Sequence, residues 1–176
     1  MAVQITTLDN GLRIATDPMA ELETAAVGVW VDVGARNEDA SLNGISHVLE
    51  HMAFKGTERR NALQIAEEIE AVGGHLNAYT SREQTAYFAR ILKNDLPLAV
   101  DILADILQNS TFAAEELERE RTVIIQEIGQ TKDTPDDLVF EHFQLAAYPD
   151  QPLGRSILGT EEHVSRFART TLQDYM

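Results

Sequence analysis

The segment His47-Val48-Leu49-Glu50-His51 constrains this chain more than any other feature of its sequence. Two histidines four residues apart project from the same side of a helix, because an α-helix repeats every 3.6 residues. Both imidazoles can therefore bind one metal ion. Glu50 lies about 100° around the helix axis from His51, where a carboxylate can act on a water molecule at the metal. The order H-x-x-E-H, the inverse of the commoner H-E-x-x-H, predicts a metal-dependent hydrolase.

The composition limits the kind of metal site and the kind of partner. The chain has no cysteine, so imidazole and carboxylate groups must hold the metal. The formal net charge is −15, from 14 Lys and Arg against 29 Asp and Glu, and this argues against a nucleic-acid partner. Acidic residues gathered in a cleft would favour cationic substrates, whereas acidic residues spread over the surface would only aid solubility.

The N-terminal residues 1–5 lack the basic segment and following apolar run of a signal peptide. No apolar stretch of the sequence is long enough to span a bilayer. We therefore expect a cytoplasmic protein with no membrane partner. The alternative is a protein of the mitochondrial matrix whose presequence is absent from this sequence.

Hydrophobic patterning predicts an α+β fold. The predicted strands cover residues 3–7, 12–16, 25–33, 75–80 and 85–92, and the predicted helices cover residues 44–54, 62–72, 96–108, 113–131, 136–147 and 161–176. Trp30, in a valine-rich strand, and Leu63, on the second helix, are predicted to face the core. Because strands come first and are then mixed with helices, we expect a mainly antiparallel sheet with helices packed on one face.

Four further segments give the motif a context. Gly44-Ile45-Ser46 precedes the motif, residues 52–57 (MAFKGT) follow it, residues 73–85 (GGHLNAYTSREQT) come later, and Glu120 and Glu127 lie seven residues apart in a helical run. This series resembles the inverzincin zinc metallopeptidases, the family of pitrilysin, insulin-degrading enzyme and the mitochondrial processing peptidase. It resembles the bacterial processing-protease branch most, from about Ile5 to the end of the chain. The segment 153–160, whose glycines predict a tight backbone path, also resembles a recurrent family segment.

The resemblance implies a Zn²⁺ ion held by His47, His51 and Glu127, with Glu50 as the general base. Glu120 competes for the third ligand position, because nearly two helical turns place it on the same face as Glu127. The family pattern places the ligand at the later glutamate. Glu120 is then a supporting catalytic acid that orients a ligand histidine or the water.

The resemblance also implies that Asn77, Ala78 and Tyr79 bind the substrate. These residues lie on a predicted strand whose family counterpart binds the substrate backbone. An extended peptide would add to the edge of the sheet as a further strand.

We therefore expect a zinc endopeptidase that cleaves extended or presequence-like peptides. Residues 1–176 would form a single N-terminal catalytic domain that lacks its last strands, a fragment of a longer two-half subunit. The implied partner is the missing C-terminal half or a paired homologous subunit, and the isolated chain would be weakly active or inactive.

Two alternatives remain at this point. The first is a non-catalytic scaffold or partner subunit, such as the core subunits of the cytochrome bc complex, which usually lose the metal motif. The second is a zinc hydrolase that acts on something other than peptides. Only the resemblance of the strand at residues 77–79 argues for a peptide substrate.

Overall fold

The computed structural model of the protein describes residues 3–176. Strands β1 (Gln4–Thr7) and β2 (Arg13–Thr16) lie within the predicted strands at residues 3–7 and 12–16, and they form an antiparallel hairpin. Strands β3 (Thr24–Val31), β4 (His75–Thr80) and β5 (Thr85–Leu92) form a second antiparallel sheet in the order β3-β5-β4. Met1 and Ala2, which belong to the N-terminal segment predicted to lack a signal peptide, lie outside the described residues.

Seven α-helices complete the described part of the chain. They are α1 (Ile45–Ala53), α2 (Ala62–Glu70), α3 (Leu96–Gln108), α4 (Ala114–Asp133), α5 (Pro135–Ala147), α6 (Glu161–Arg166) and α7 (Arg169–Tyr175). The antiparallel sheets and the helices confirm the predicted α+β class. None of the helices between residues 3 and 176 has both the length and the apolar character that crossing a bilayer requires.

Local sequence signals explain where several helices begin. Asn61 caps α2 by accepting a hydrogen bond from the backbone N–H of Gln64, whose side chain accepts in return from the backbone N–H of Asn61. Pro97 and Pro135 lie in the first turns of α3 and α5, where a missing N–H costs nothing. The predicted helix over residues 161–176 is in fact two helices, with the buried Phe167 between them.

Helix α1 lies between two apolar clusters. Its Ile45, Val48 and Met52 pack against α4, α6 and α7 in the first cluster. Its last residue, Ala53, belongs to the second cluster, in which α2 and α3 pack on β5. Since α1 contacts both clusters, the packing of the whole domain determines where the residues of α1 lie.

Two predicted core residues are exposed. Trp30 is 59% exposed, because β3 alternates and its Trp30 and Gly28 lie on the sheet face opposite the helices. Leu63 is 64% exposed, because two residues along α2 turn it by about 200° from the buried Ile65. In both elements, an apolar residue lies on the side that does not pack against the core.

A buried acid of α3 forms hydrogen bonds with the segment that follows α1. Asp105 of α3 is fully buried, and it accepts hydrogen bonds from the Thr57 hydroxyl at 2.7 Å, from Arg60 at 2.9 Å and from Arg59 at 3.1 Å. Burial would raise the pKa of Asp105, but these bonds outweigh burial and lower it to about 2. The network therefore stabilises the fold through the ionised form of Asp105.

This network predicts a pH-dependent stability. Since the pKa of Asp105 is lower in the folded than in the unfolded chain, its contribution is present above about pH 4 and is lost as the pH falls towards 2. We expect Asp105→Asn to lower the free energy of unfolding by roughly 2 kcal/mol at pH 7, with a smaller difference at pH 3. Urea titrations at both pH values measure this. Asp133→Asn, at an exposed carboxyl, is the control, and an equal loss at both pH values would contradict the account.

Candidate metal centre

Two packed helices bring the predicted ligands together. His47 and His51 lie one turn apart on α1, and Glu127 lies on α4, which packs against α1 in the first apolar cluster. The buried Ile124 and Ile128 flank Glu127 in sequence and hold this part of α4 on the core. The carboxylate of Glu127 therefore points at the two imidazoles from the facing helix.

The three groups match the size of a zinc site. His47 Nε2 and His51 Nε2 lie 3.2 Å apart, and Glu127 Oε2 lies 3.7 Å from the first and 3.5 Å from the second. The point equidistant from these three atoms lies about 2.0 Å from each, which is the bond length of Zn²⁺ to imidazole nitrogen and carboxylate oxygen. Among residues 3–176, these three side chains are the cluster of acids and histidines compact enough to hold a metal ion.

A carboxylate contacts the ring nitrogen of His51 that faces away from the other two candidate ligands, and a lysine contacts that carboxylate. Glu120 Oε2 lies 3.0 Å from His51 Nδ1, and Glu120 Oε1 lies 2.7 Å from Lys55 Nζ. If His51 Nδ1 donates its proton to Glu120, the lone pair of His51 Nε2 is free to bind the metal. Burial would raise the pKa of Glu120, but the hydrogen bonds and charges of Lys55 and His51 outweigh burial and hold that pKa below its usual range.

Burial keeps the other imidazole neutral. The His47 side chain is only 11% exposed, and burial, together with the neighbouring His51, lowers the pKa of His47 to about 4. At neutral pH this ring therefore has a free lone pair, as a metal ligand requires. Its Nδ1 atom is buried and has no hydrogen-bond partner among the described residues.

Glu50 lies beside the cluster without belonging to it. Burial raises the pKa of Glu50, while hydrogen bonding by Thr80 and the charge of His51 act in the opposite direction. Glu50 directly precedes His51 on α1, and α1 packs against the helix that carries Glu127. A raised pKa makes the carboxylate a stronger proton acceptor, as a general base requires.

The predicted substrate strand is an edge of the sheet. β4 pairs with β5 on one side and has no other neighbour within residues 3–176. Asn77 and Tyr79 are exposed on β4, and the backbone N–H of Ala78 donates to Asn77 Oδ1 at 2.9 Å. The Thr80 hydroxyl, at the end of the same strand, donates to the backbone carbonyl of Ser46 on α1 at 3.5 Å, so the strand ends beside the helix that carries the candidate ligands.

Sequence reasoning missed one residue of this centre. Lys55 follows His51 by four residues, lies in the segment after the motif and forms an ion pair with Glu120. The same i,i+4 spacing that joins His47 to His51 could have suggested that Lys55 faces α4.

The comparison with protein families agrees with this geometry. The family described as Insulinase (Peptidase family M16) matches residues 13–161, and this chain therefore belongs to the M16 peptidase family. The predicted family is thereby confirmed. The chain is 49% identical over 173 residues to the probable mitochondrial-processing peptidase subunit beta of Arabidopsis thaliana, covering 98% of this chain and 33% of that protein.

The mitochondrial-processing peptidase subunit beta of Rattus norvegicus is also 49% identical, over 98% of this chain and 35% of its own length. The chain thus spans about a third of the length of these relatives. Their names contradict one prediction. The expectation of a cytoplasmic bacterial protein is wrong, since these relatives are eukaryotic and mitochondrial. That expectation rested on residues 1–5, which lack the pattern of a signal peptide but give no information about residues outside this sequence.

Two solved structures share the fold. A protease from Helicobacter pylori superposes with a TM-score of 0.93 at 26% identity, covering 99% of this chain and 42% of that chain. A peptidase M16 inactive domain from Pseudomonas fluorescens superposes with a TM-score of 0.92 at 17% identity, covering 99% and 43%. Because an inactive domain has the same fold, activity must be argued from the residues of the site.

Proposed function

We propose that this chain is the zinc-binding catalytic part of an M16 endopeptidase that cleaves extended or presequence-like peptides. The observation that carries the proposal is the convergence of His47 Nε2, His51 Nε2 and Glu127 Oε2 at the spacing of a zinc site, with Glu50 beside them. Two histidines and one carboxylate form a common ligand set of catalytic zinc, and they leave a position for water.

Each side chain of the site has a separate task. A bound zinc ion supplies Lewis acidity, which polarises a peptide carbonyl and makes a neighbouring water more acidic. Glu50 accepts the proton of the attacking water at a carboxylate oxygen and returns it to the nitrogen of the leaving amine. Glu120 holds the Nδ1 proton of His51 and so fixes the ring orientation, and Lys55 holds Glu120 in turn.

The substrate would bind as an added strand. The outer edge of β4 offers backbone groups to an extended peptide, and Asn77 and Tyr79 offer exposed side chains beside them. The peptide would replace the bond between the Ala78 N–H and Asn77 Oδ1. Because β4 ends at Thr80, whose hydroxyl donates to the Ser46 carbonyl of α1, a peptide on this edge would pass along the helix that carries Glu50.

We also propose that residues 1–176 form one catalytic domain of a longer subunit. The support is the fraction of the relatives that the chain spans, about a third. The relatives are named as beta subunits, and a paired homologous subunit or a second half of the same subunit would complete the enzyme around its substrate. The alternative of a non-catalytic scaffold is disfavoured, because His47, Glu50, His51 and Glu127 are all retained and lie together.

The proposed function predicts metal-dependent cleavage. The assembled enzyme, in which this chain is joined by its second half or paired subunit, is incubated with a basic, presequence-like fluorogenic peptide. We expect cleavage to stop after treatment with a chelator and to return on addition of about one zinc per site. Cleavage that persists after the metal has been removed, as verified by elemental analysis, would contradict the proposal.

Strand addition makes a kinetic prediction of its own. Asn77→Ala removes an exposed side chain of the substrate edge without touching the core, so we expect KM to rise several-fold, with a smaller change in kcat. The control is Glu67→Gln, an exposed position on α2. A fall in kcat at unchanged KM would show that Asn77 does not act in substrate binding.

A further inference from the structure

A buried carboxylate lies at the start of α1, the metal helix that carries His47 and His51, but it is not one of the three candidate ligands. Glu38 is only 3% exposed, and it precedes α1 in sequence. Its Oε2 atom accepts hydrogen bonds from the backbone N–H of Gly44 at 2.8 Å and from Asn43 Nδ2 at 3.0 Å. Its Oε1 atom accepts from the backbone N–H of Ser46 at 2.9 Å. Every one of these bonds goes to the segment that begins α1.

Helix α1 needs this carboxylate because it has no cap of its own. The first N–H groups of a helix have no partners within the helix, and a side-chain oxygen at the N-cap usually accepts from them. The N-cap residue of α1 is Gly44, which has no side chain and a φ of +98°. Glu38 supplies the missing acceptor from outside the helix, and its negative charge suits the positive end of the helix dipole.

The loop at residues 153–160 also contacts Glu38 and the start of α1. Arg155 donates to the backbone carbonyl of Glu38, and Asn43 Nδ2 donates to the carbonyl of Ser156 at 2.9 Å. The backbones of Gly44 and Gly159 are in contact, and a Cβ atom on Gly159 would lie 2.4 Å from the Asn43 carbonyl oxygen. Glu38 and this loop therefore fix the first turn of α1 between them.

Together with the packing of α1 on the two apolar clusters, the position of that turn sets the position of both histidines. His47 directly follows Ser46, whose N–H is held by Glu38, and His51 lies one turn further along the same rigid helix. The third candidate ligand, Glu127, belongs to a different helix, α4. Metal–ligand distances tolerate only about 0.2 Å, so a small shift of α1 would separate the imidazoles from the carboxylate.

We propose that Glu38 is a positioning residue of the metal centre, which holds the metal helix at the distance from Glu127 that a zinc ion requires. This inference rests on the proposed function, since it assumes that the three groups bind zinc. It assigns a role to a residue that touches neither the metal nor the substrate. It also accounts for the segment 153–160, which supports Glu38 and the start of α1 together.

The test is the zinc affinity of Glu38→Gln, measured by competition with a chromogenic chelator on protein whose folding is verified by circular dichroism. Glutamine keeps one acceptor oxygen but places an NH₂ group opposite a backbone N–H. We expect the affinity to fall about 10- to 100-fold, the usual effect of losing a supporting contact to a metal site. Glu38→Ala, if it folds, should lose more.

Asp105→Asn is the matched control, because Asp105 is also a buried acid with several hydrogen bonds, but it lies on α3 and bonds to the segment after α1. We expect it to lower the melting temperature and to leave the zinc affinity unchanged. A Glu38→Gln protein with a lower melting temperature and the wild-type zinc affinity would overturn the inference, because Glu38 would then be structural only. A wild-type chain without zinc affinity would overturn the proposed function as well, so the two failures are distinguishable.

Discussion

Replacing Glu50 by glutamine is expected to slow peptide cleavage about 10²- to 10⁴-fold, the usual contribution of a general base. Glutamine has nearly the same shape as glutamate but cannot accept a proton from water. Because Glu50 is not one of the three converging groups, the variant should still bind zinc. Measuring kcat and zinc content on the same preparation of the assembled enzyme separates the two effects.

The loss of cleavage should appear in kcat and not in KM, since Glu50 acts on the water and does not bind the peptide. Glu67→Gln, which makes the same chemical change at an exposed helical position, should retain full activity. If Glu50→Gln cleaved at the wild-type rate, another group would have to be the base. If it lost its zinc, Glu50 would instead belong to the metal ligands.

Glu127 and Glu120 should respond differently to the same substitution. The Glu127 carboxylate lies 3.5 Å and 3.7 Å from the two Nε2 atoms, whereas the Glu120 carboxylate lies behind His51 at its Nδ1 atom. We expect Glu127→Gln to abolish tight zinc binding. Glu120→Gln should weaken binding only about 10- to 100-fold, because it removes a contact to a ligand and not a ligand itself.

Chelator competition on both variants measures this difference, with Glu118→Gln, an exposed position on the same helix, as the control. The reverse order of effects, with Glu120→Gln the more damaging, would mean that Glu120 is the third ligand and that His51 binds the metal through Nδ1.

The metal helix could be predicted closely because its signals are local. The predicted helix 44–54 differs by one residue at each end from the observed α1, since the apolar spacing and the two histidines follow a single helical period. The approach of Glu127 is not local. It depends on the packing of α4 against α1, and only the family resemblance could choose Glu127 over Glu120 from the sequence.

Other features could not be predicted because one pattern fits two environments. The valine-rich strand containing Trp30 reads as fully buried, but β3 has helices on one face alone and Trp30 lies on the other.

Two contacts near the candidate metal centre could not be predicted for a different reason. The ion pair of Lys55 with Glu120 and the capping of α1 by Glu38 join residues whose sequence spacing has no regular period. Only the folded backbone brings these pairs together.

Elemental analysis of the chain after dialysis against a weak chelator shows whether His47, His51 and Glu127 hold one zinc ion. We expect about one zinc per wild-type chain, almost none in His51→Ala, and an unchanged amount in His142→Ala, which removes an exposed histidine of α5. Wild-type chain without zinc, or His51→Ala that keeps its zinc, would show that these three residues do not form the zinc site.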